Sequence, residues 1–546
     1  MANLKKIWPM LTAAVLAVAG LARAEVSCTA PVPTAAGQVR GMKESGTPTC
    51  AWKGIPFAAP PVGRLRWQSP QPMSAWSGVR ETVAFGPHCM QNGLTGMEHL
   101  LTKAGMSEDC LYLNVWRPQK EAPPAGFPVM VWVHGGGYYI GAASTPMYWG
   151  DRLAADGDLV VVSMNYRLNI FGFFALPALR EEDPHRSTGG QGTLDQVAAL
   201  RWVHENIRNF GGDPGKVTIF GESAGGWSIC TLLATPLTEG LVQGAILESG
   251  GCEESRDLEA GYQFAQDLAP QLGCQPDDLA CLRKVSAKKV MDKGVVGGMG
   301  HMEFMPHHDG YVLTGTPLAM IRAGNFRQVP FIAGSNRDEF GNALKLKREF
   351  RRIPPDQYQA QLQEKFQASD EEARTLIGLY PLTEFQNRPV NAYGRMFGAD
   401  MALICPSYSG LLAAARHEPN TYYYHFEYDG MKGGQYLGAA HALEIPFIFD
   451  AFDRLPMSML YNKKNLPEAK ALSKIIQGYW INFAKTGNPN QAGLPEWPKF
   501  DPADQKVQVL DTSVRTAPAG MAAKCEFWEN FAQHHPRGEL MMGKRN

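Results

Sequence analysis

Phe220-Gly221-Glu222-Ser223-Ala224-Gly225-Gly226 lies between two runs of opposite character. Before it, Lys216-Val217-Thr218-Ile219 is β-branched and reads as a strand. After it, Trp227-Ser228-Ile229-Cys230-Thr231-Leu232-Leu233 is largely apolar and reads as a buried helix. Glycines on both sides of Ser223 mark a turn so tight that a side chain at Gly221 or Gly225 would collide with the neighbouring chain. Such a turn lifts the Ser223 hydroxyl out of the sheet. It also aims the Ala224 N–H and the helix N-terminus at the same point, where negative charge is stabilised. A strand, Gly-x-Ser-x-Gly and a helix, in that order, put a serine where a nucleophile belongs.

The rest of the chain supplies the sheet that this turn requires. Residues 128–133 and 159–164 are nearly continuous apolar strands, 244–247 is another, and 195–210 carries a helical pattern between them. Strands apolar on both faces and separated by helices predict an α/β fold, with a mostly parallel central sheet covered on both sides. Further strands are expected at 329–334 and 421–428, with 506–510 as the final edge strand. Residues 340–416 are charged and helical, and read as an inserted helical subdomain roofing the carboxyl ends of the strands. No repeat or low-complexity linker divides residues 25–546, which read as one domain.

Of the 546 residues, 45% are hydrophobic, ample for a large core, and the net charge of −1 provides no basic excess for nucleic acid or an anionic membrane. The first 24 residues read as a signal peptide. Lys5 and Lys6 precede a short apolar core over 7–21, and Ala22-Arg23-Ala24 is a small-x-small cleavage site. No later segment reads as long and apolar enough to span a membrane, so the mature chain is expected to be soluble and exported, secreted or periplasmic. Ten cysteines in an exported chain predict disulfides. Cys89 with Cys110, and Cys274 with Cys281, would close short loops. Cys405 with Cys525 would tie a late segment to the C-terminus, and Cys28 and Cys50 flank an N-terminal hairpin. Cys230 and Cys252 are left open as a pair or as thiols. Without a Cys-x-x-Cys, no metal site is expected.

A serine hydroxyl needs a base, and the base needs an orienting acid. The loop Gly334-Ser335-Asn336-Arg337-Asp338-Glu339-Phe340-Gly341 follows a predicted strand and offers Asp338 or Glu339; composition does not choose between them. Of the thirteen histidines, His441 lies downstream in a loop of glycine and small residues, Leu437-Gly438-Ala439-Ala440-His441. His425 falls within a strand pattern, His417 ends a charged helix, and His534 and His535 lie in a polar tail. Donors for an oxyanion are expected from His134-Gly135-Gly136-Gly137-Tyr138, where successive glycines free the backbone N–H groups. This run lacks the Lys-Ser/Thr ending of a phosphate-binding loop. Gly136, Gly137 and Ala224 would make a three-donor hole, with His134 packed beneath.

These segments, with Glu108-Asp109-Cys110-Leu111-Tyr112-Leu113-Asn114, Asn165-Tyr166-Arg167, Phe210-Gly211-Gly212-Asp213-Pro214 and His441-Ala442-Leu443-Glu444, resemble the type-B carboxylesterase/lipase family of α/β-hydrolases. That family includes cholinesterases and bacterial para-nitrobenzyl esterases. The resemblance runs from about residue 37 to 531. It implies Glu339, not Asp338, as the acid beside Ser223 and His441. It also implies supporting roles for Glu222, Ser249 and Glu444, disulfides Cys89–Cys110, Cys274–Cys281 and Cys405–Cys525, and structural ion pairs Arg66–Glu108 and Arg167–Asp195. No cofactor is implied, and the partner is a small-molecule ester.

Departures from the family narrow the substrate. The Cys89–Cys110 loop has no Trp, Tyr or Phe to bind a quaternary ammonium, which argues against choline esters. Arg256, in Glu253-Glu254-Ser255-Arg256 near the family's acyl pocket, would suit a polycarboxylate ester, because a guanidinium forks onto a carboxylate. Fumonisin esterases cut such esters. His307 and His308 are further candidates to line the pocket. The expectation is an exported serine esterase. A lipase and a non-catalytic adhesion module are the alternatives.

Overall fold

The computed structural model describes residues 26–92, 105–295, 303–345 and 348–535. The expected signal peptide lies outside the described residues. Eleven strands form the main sheet: β1 (Met42–Lys43), β2 (Thr49–Pro56), β3 (Tyr112–Pro118), β4 (Phe127–Val133), β5 (Val160–Met164), β6 (Gly212–Glu222), β7 (Gly244–Glu248), β8 (Phe331–Asn336), β9 (Thr421–Phe426), β10 (Lys506–Leu510) and β11 (Arg515–Pro518). Their order across the sheet is β11-β10-β9-β8-β7-β6-β4-β5-β3-β2-β1. From β5 to β10 every pairing is parallel, while β1, β2, β3 and β11 join antiparallel at the two sides. Val32–Thr34 and Gly37–Arg40, before β1, form a separate three-stranded sheet with Val79–Glu81, which lies between β2 and β3.

The parallel centre follows from composition. Residues of β5, β7 and β8 are all buried, as strands covered on both faces must be. The antiparallel flank at β1–β3 was not legible in the strand pattern. Strand β10 is not the edge as expected, because β11 pairs outside it from Val509↔Arg515 to Lys506↔Pro518.

Between β8 and β9 the described residues are helical, including a π-helical stretch at Gly394–Ile404 that runs into Cys405–Ala414. Here one sequence expectation needs correcting. The continuous helix Pro389–Ala414 is long and apolar enough to cross a membrane by length and composition, but 94% of its apolar window is buried inside the protein, which marks a core helix.

All ten cysteines are bonded: Cys28–Cys50, Cys89–Cys110, Cys230–Cys252, Cys274–Cys281 and Cys405–Cys525. The pair left open in the sequence, Cys230–Cys252, staples the helix after Ser223 to the loop after β7.

The register brings the carboxyl ends of the central strands together. Gly221 lies opposite Val133, Glu222 opposite Glu248, and Glu248 opposite Gly334. The loops that leave β4, β6, β7 and β8 therefore open on one edge, the usual position for a site in a parallel sheet.

Candidate active site

Ser223 is the hinge between β6 and helix α1 (Ala224–Ala234), with φ 60° and ψ −123°. A non-glycine residue there is strained, and the surroundings must hold it. They do so through its backbone: the Ser223 N–H donates to the Glu248 carbonyl at 2.9 Å, and its carbonyl accepts from Trp227 N–H at 3.0 Å. The flanking glycine is compelled by contact, since a Cβ at Gly225 would stand 2.1 Å from the Val133 carbonyl oxygen. Ser249, Glu339 and Ala442 also have positive φ, so four strained residues cluster around one point.

Of the two candidate acids, only Glu339 reaches the histidine. Its Oε2 lies 2.7 Å from His441 Nδ1, while Oε1 accepts from Ser249 Oγ at 2.8 Å and Asn336 N–H at 2.6 Å. Asp338 instead accepts the Ala439 N–H and pairs with Arg337, bracing the histidine loop from outside. Glu339 carbonyl also takes the His441 N–H at 3.1 Å, so the two residues are tied through the main chain as well.

His441 Nε2 lies 3.0 Å from Glu222 Oε1. Among the described residues no hydrogen bond joins the imidazole to the Ser223 hydroxyl. Burial alone would depress the His441 imidazole, but Glu222, Glu339 and Glu444 outweigh it and push it up to about 9. Burial pushes Glu222 up to about 7 against the pull of His441, and burial with the charges of Glu222 and Glu339 pushes Glu444 up to about 8. Glu444 Oε2 accepts from Asn336 Nδ2 at 2.5 Å.

The glycine loop after β4 lies against this turn. A Cβ at Gly135 would stand 2.5 Å from the Glu222 carbonyl and 2.9 Å from Ser223 Cβ. Gly136 and Gly137 have φ of 108° and 64°. Among the described residues, no acceptor takes the N–H of either, and Ala224 N–H begins α1. Among the described residues these amides are unpaired, and their loop meets the serine turn at Gly135. His134 stacks on Tyr166 at 4.5 Å, and burial pushes it down to about 4, so it is neutral and packed beneath the loop.

The other candidates are occupied locally. Arg66 forks onto Glu108 at 2.6 and 2.7 Å, and Arg167 onto the buried Asp195 at 2.7 Å through both nitrogens. Arg256 is half-buried and donates to the Glu303 carbonyl at 2.6 Å. His307 is 1% exposed, bonds Gly189 carbonyl through Nδ1, and is wedged where a Cβ at Gly189 or Gly261 would strike its ring. His308 contacts Asp257 and Ser255. His307 is thus held by packing, while His308 stays partly exposed and hydrogen-bonded. Among the described residues no cluster of three or more His, Cys, Asp or Glu could hold a metal ion.

Sequence reasoning missed three residues. Asn336 holds both Glu339 and Glu444. Phe340 tilts its ring 4.2 Å from that of His441. Glu248 is completely buried behind the turn. An Asn, a Phe and a strand-end Glu carry no local pattern that would single them out.

The carboxylesterase family model matches residues 29–528. The chain is 36% identical over 496 residues to a para-nitrobenzyl esterase of Bacillus subtilis (strain 168), covering 88% of this chain and 95% of the relative. It is 37% identical over 459 residues to a fumonisin B1 esterase of Sphingopyxis macrogoltabida, covering 82% and 81%. Among solved structures, a carboxylesterase of Geobacillus stearothermophilus superposes with a TM-score of 0.78 at 32% identity, covering 91% of this chain and 99% of that one. The sheet order, the strained serine turn and these similarities agree: the chain belongs to the carboxylesterase family, has the α/β-hydrolase fold, and is a carboxylic ester hydrolase.

Proposed function

We propose that this protein is an exported serine carboxylesterase that works through Ser223, His441 and Glu339. The observation that carries the reading is the 2.7 Å contact of Glu339 with His441 beside the Ser223 turn. Ester binding draws His441 Nε2 from Glu222 to the Ser223 hydroxyl, a contact that often forms only in the substrate complex. Ser223 Oγ then attacks the ester carbonyl while His441 takes its proton, and Glu339 stabilises the imidazolium. The N–H groups of Gly136, Gly137 and Ala224 bind the oxyanion. His441 returns the proton to the departing alcohol. Water, activated by the same imidazole, releases the acid from the acyl-enzyme. Glu222, Ser249 and Glu444 hold the acid and base in place.

Export is supported by the N-terminal segment of residues 1–24 and by the five disulfides, which suit a secreted or periplasmic protein. A narrower reading, esters of polycarboxylic acids recognised by Arg256, is favoured by the similarity to the fumonisin B1 esterase.

The test is Ser223→Ala together with labelling by a fluorophosphonate. The variant is expected to lose hydrolysis of short-chain nitrophenyl esters and to remain folded. The wild type should gain one adduct, mapped to Ser223 by mass spectrometry. Substantial turnover by the variant, or an adduct elsewhere, overturns the assignment.

A further inference from the structure

Four glutamates meet behind the Ser223 turn, and the proposed triad uses one. Glu222 ends β6, Glu248 ends β7, Glu339 follows β8 and Glu444 follows His441; they are 3%, 0%, 2% and 2% exposed. Glu222 and Glu248 are opposite each other in the strand register. Among the described residues, the cation paired with this cluster is the His441 imidazole, against Glu339 and Glu222. The charges that act on Glu248, those of Glu444 and Glu222, are both negative. Four ionised carboxylates beside one imidazolium would leave most of the negative charge buried and uncompensated, which costs more than protonating a member of the cluster.

The four carboxyls differ in what partners them, and Glu248 is the one held by a neutral indole with only negative charges acting on it. Glu339 has partners on both oxygens. Glu222 Oε1 faces His441 Nε2, and Glu444 Oε2 accepts from Asn336. Glu248 Oε1 accepts from the indole N–H of Trp480 at 2.8 Å, on helix α2 (Leu466–Thr486). Among the described residues its Oε2 is buried without a hydrogen-bond partner, as are Glu222 Oε1, Glu444 Oε1 and the Tyr424 hydroxyl of β9. Glu248 and Glu444 both act on that phenol and on Tyr148, and neither tyrosine brings a positive charge. As a carboxylate, Glu248 would turn a bare anion towards other carboxylates. As an acid, it buries no charge. Its main chain meanwhile holds the serine: the Glu248 carbonyl accepts the Ser223 N–H.

We propose that Glu248 is a positioning residue kept as the neutral carboxylic acid, its side chain anchored on the Trp480 indole and its backbone carbonyl holding the Ser223 amide. The positioning part rests on the reading of Ser223 as the nucleophile; the protonation state does not. Burial, with the charge of Glu444, holds this carboxyl well above the ordinary range.

The variants are Glu248→Gln and Glu248→Leu. Glutamine reproduces a neutral acid, with an oxygen for Trp480 and an N–H in place of the O–H. Glu248→Gln is therefore expected to fold with a wild-type melting temperature. Its infrared difference spectrum against wild type at pH 7 should show loss of a protonated carboxyl C=O band. The acid limb of its kcat/KM profile should stay in place. Glu248→Leu, which cannot accept from the Trp480 indole, should lower kcat per titrated active site by about tenfold with KM little changed, and Gln should restore it. Loss of an ionised carboxylate band overturns the proposal. So does an acid limb displaced downward, which would report removal of a negative charge near His441, or failure of Glu248→Gln to fold. A wild-type kcat in Glu248→Leu overturns the positioning role. The infrared readout stands even if Ser223 proves not to be the nucleophile.

Discussion

Nε2 of His441 lies 3.0 Å from Oε1 of Glu222, so one imidazole bridges two buried carboxylates, Glu222 on one nitrogen and Glu339 on the other. Each favours the imidazolium. A general base must be neutral, so turnover falls as pH drops through the histidine's raised value of about 9. Glu222→Gln removes one of the two negative neighbours and makes the imidazole easier to deprotonate. The acid limb of the kcat/KM profile should then move to lower pH, by about 1 unit or more. An unmoved limb would mean that Glu222 is not ionised beside His441 in solution. The same shift has a stability sign. The raised histidine stabilises the fold fully below its unfolded value of about 6.5, and that contribution fades as pH rises through about 9.

Glu339 and Asp338 are neighbours in the chain with different work. Glu339→Gln removes the acceptor on His441 Nδ1, and a loss of about three to four orders of magnitude in kcat is expected. Asp338→Asn leaves His441 untouched but weakens the acceptor for Ala439 N–H and Arg337. Its kcat should stay within about threefold while thermal denaturation shows about 1 kcal/mol of lost stability. Steady-state rates on a nitrophenyl ester and a melting curve for each variant separate the two roles.

Gly135→Ala tests the contact between the glycine loop and the serine turn. The added Cβ would meet the Glu222 carbonyl at 2.5 Å and Ser223 Cβ at 2.9 Å, and neither backbone can yield without moving the donors of the oxyanion site. We expect kcat to fall by about a hundredfold or more, as when an oxyanion donor is lost. Labelling of Ser223 should slow in parallel. A wild-type rate would show that the loop adapts.

Arg256→Ala distinguishes pocket from scaffold. Under the polycarboxylate reading, the variant loses about ten- to hundredfold in kcat/KM on tricarballylate esters and keeps its rate on neutral esters, because a charge-assisted hydrogen bond is removed from one substrate class only. Equal losses on both classes would assign Arg256 to holding the loop through Glu303.

Much of the architecture is legible along the chain because its signals are local. Apolar runs of strand length covered by helices on both sides have one economical arrangement, the parallel sheet. Glycine on each side of Ser223 is a steric requirement that depends on a few neighbouring atoms. The antiparallel strands at 49–56 and 112–118 escaped because pairing at a sheet margin leaves no continuous apolar run. Helix 389–414 passes for a membrane span by composition, and only its surroundings show that protein rather than lipid covers it.

The sequence by itself determined the serine turn, the glycine run after β4 and the order in which the Asp338-Glu339 loop and His441 follow, since each rests on residue type and short spacing. Only the tertiary structure decided how these groups are wired. It joined Cys230 to Cys252, packed His307 against Gly189 and Gly261, and turned His441 Nε2 towards Glu222. It also buried Glu248 behind the elbow. The physical reason is that hydrogen bonds and charges act over a few ångströms of space, and residues 222, 248, 339 and 441 become neighbours only when the ends of separate strands are brought to one edge of the sheet.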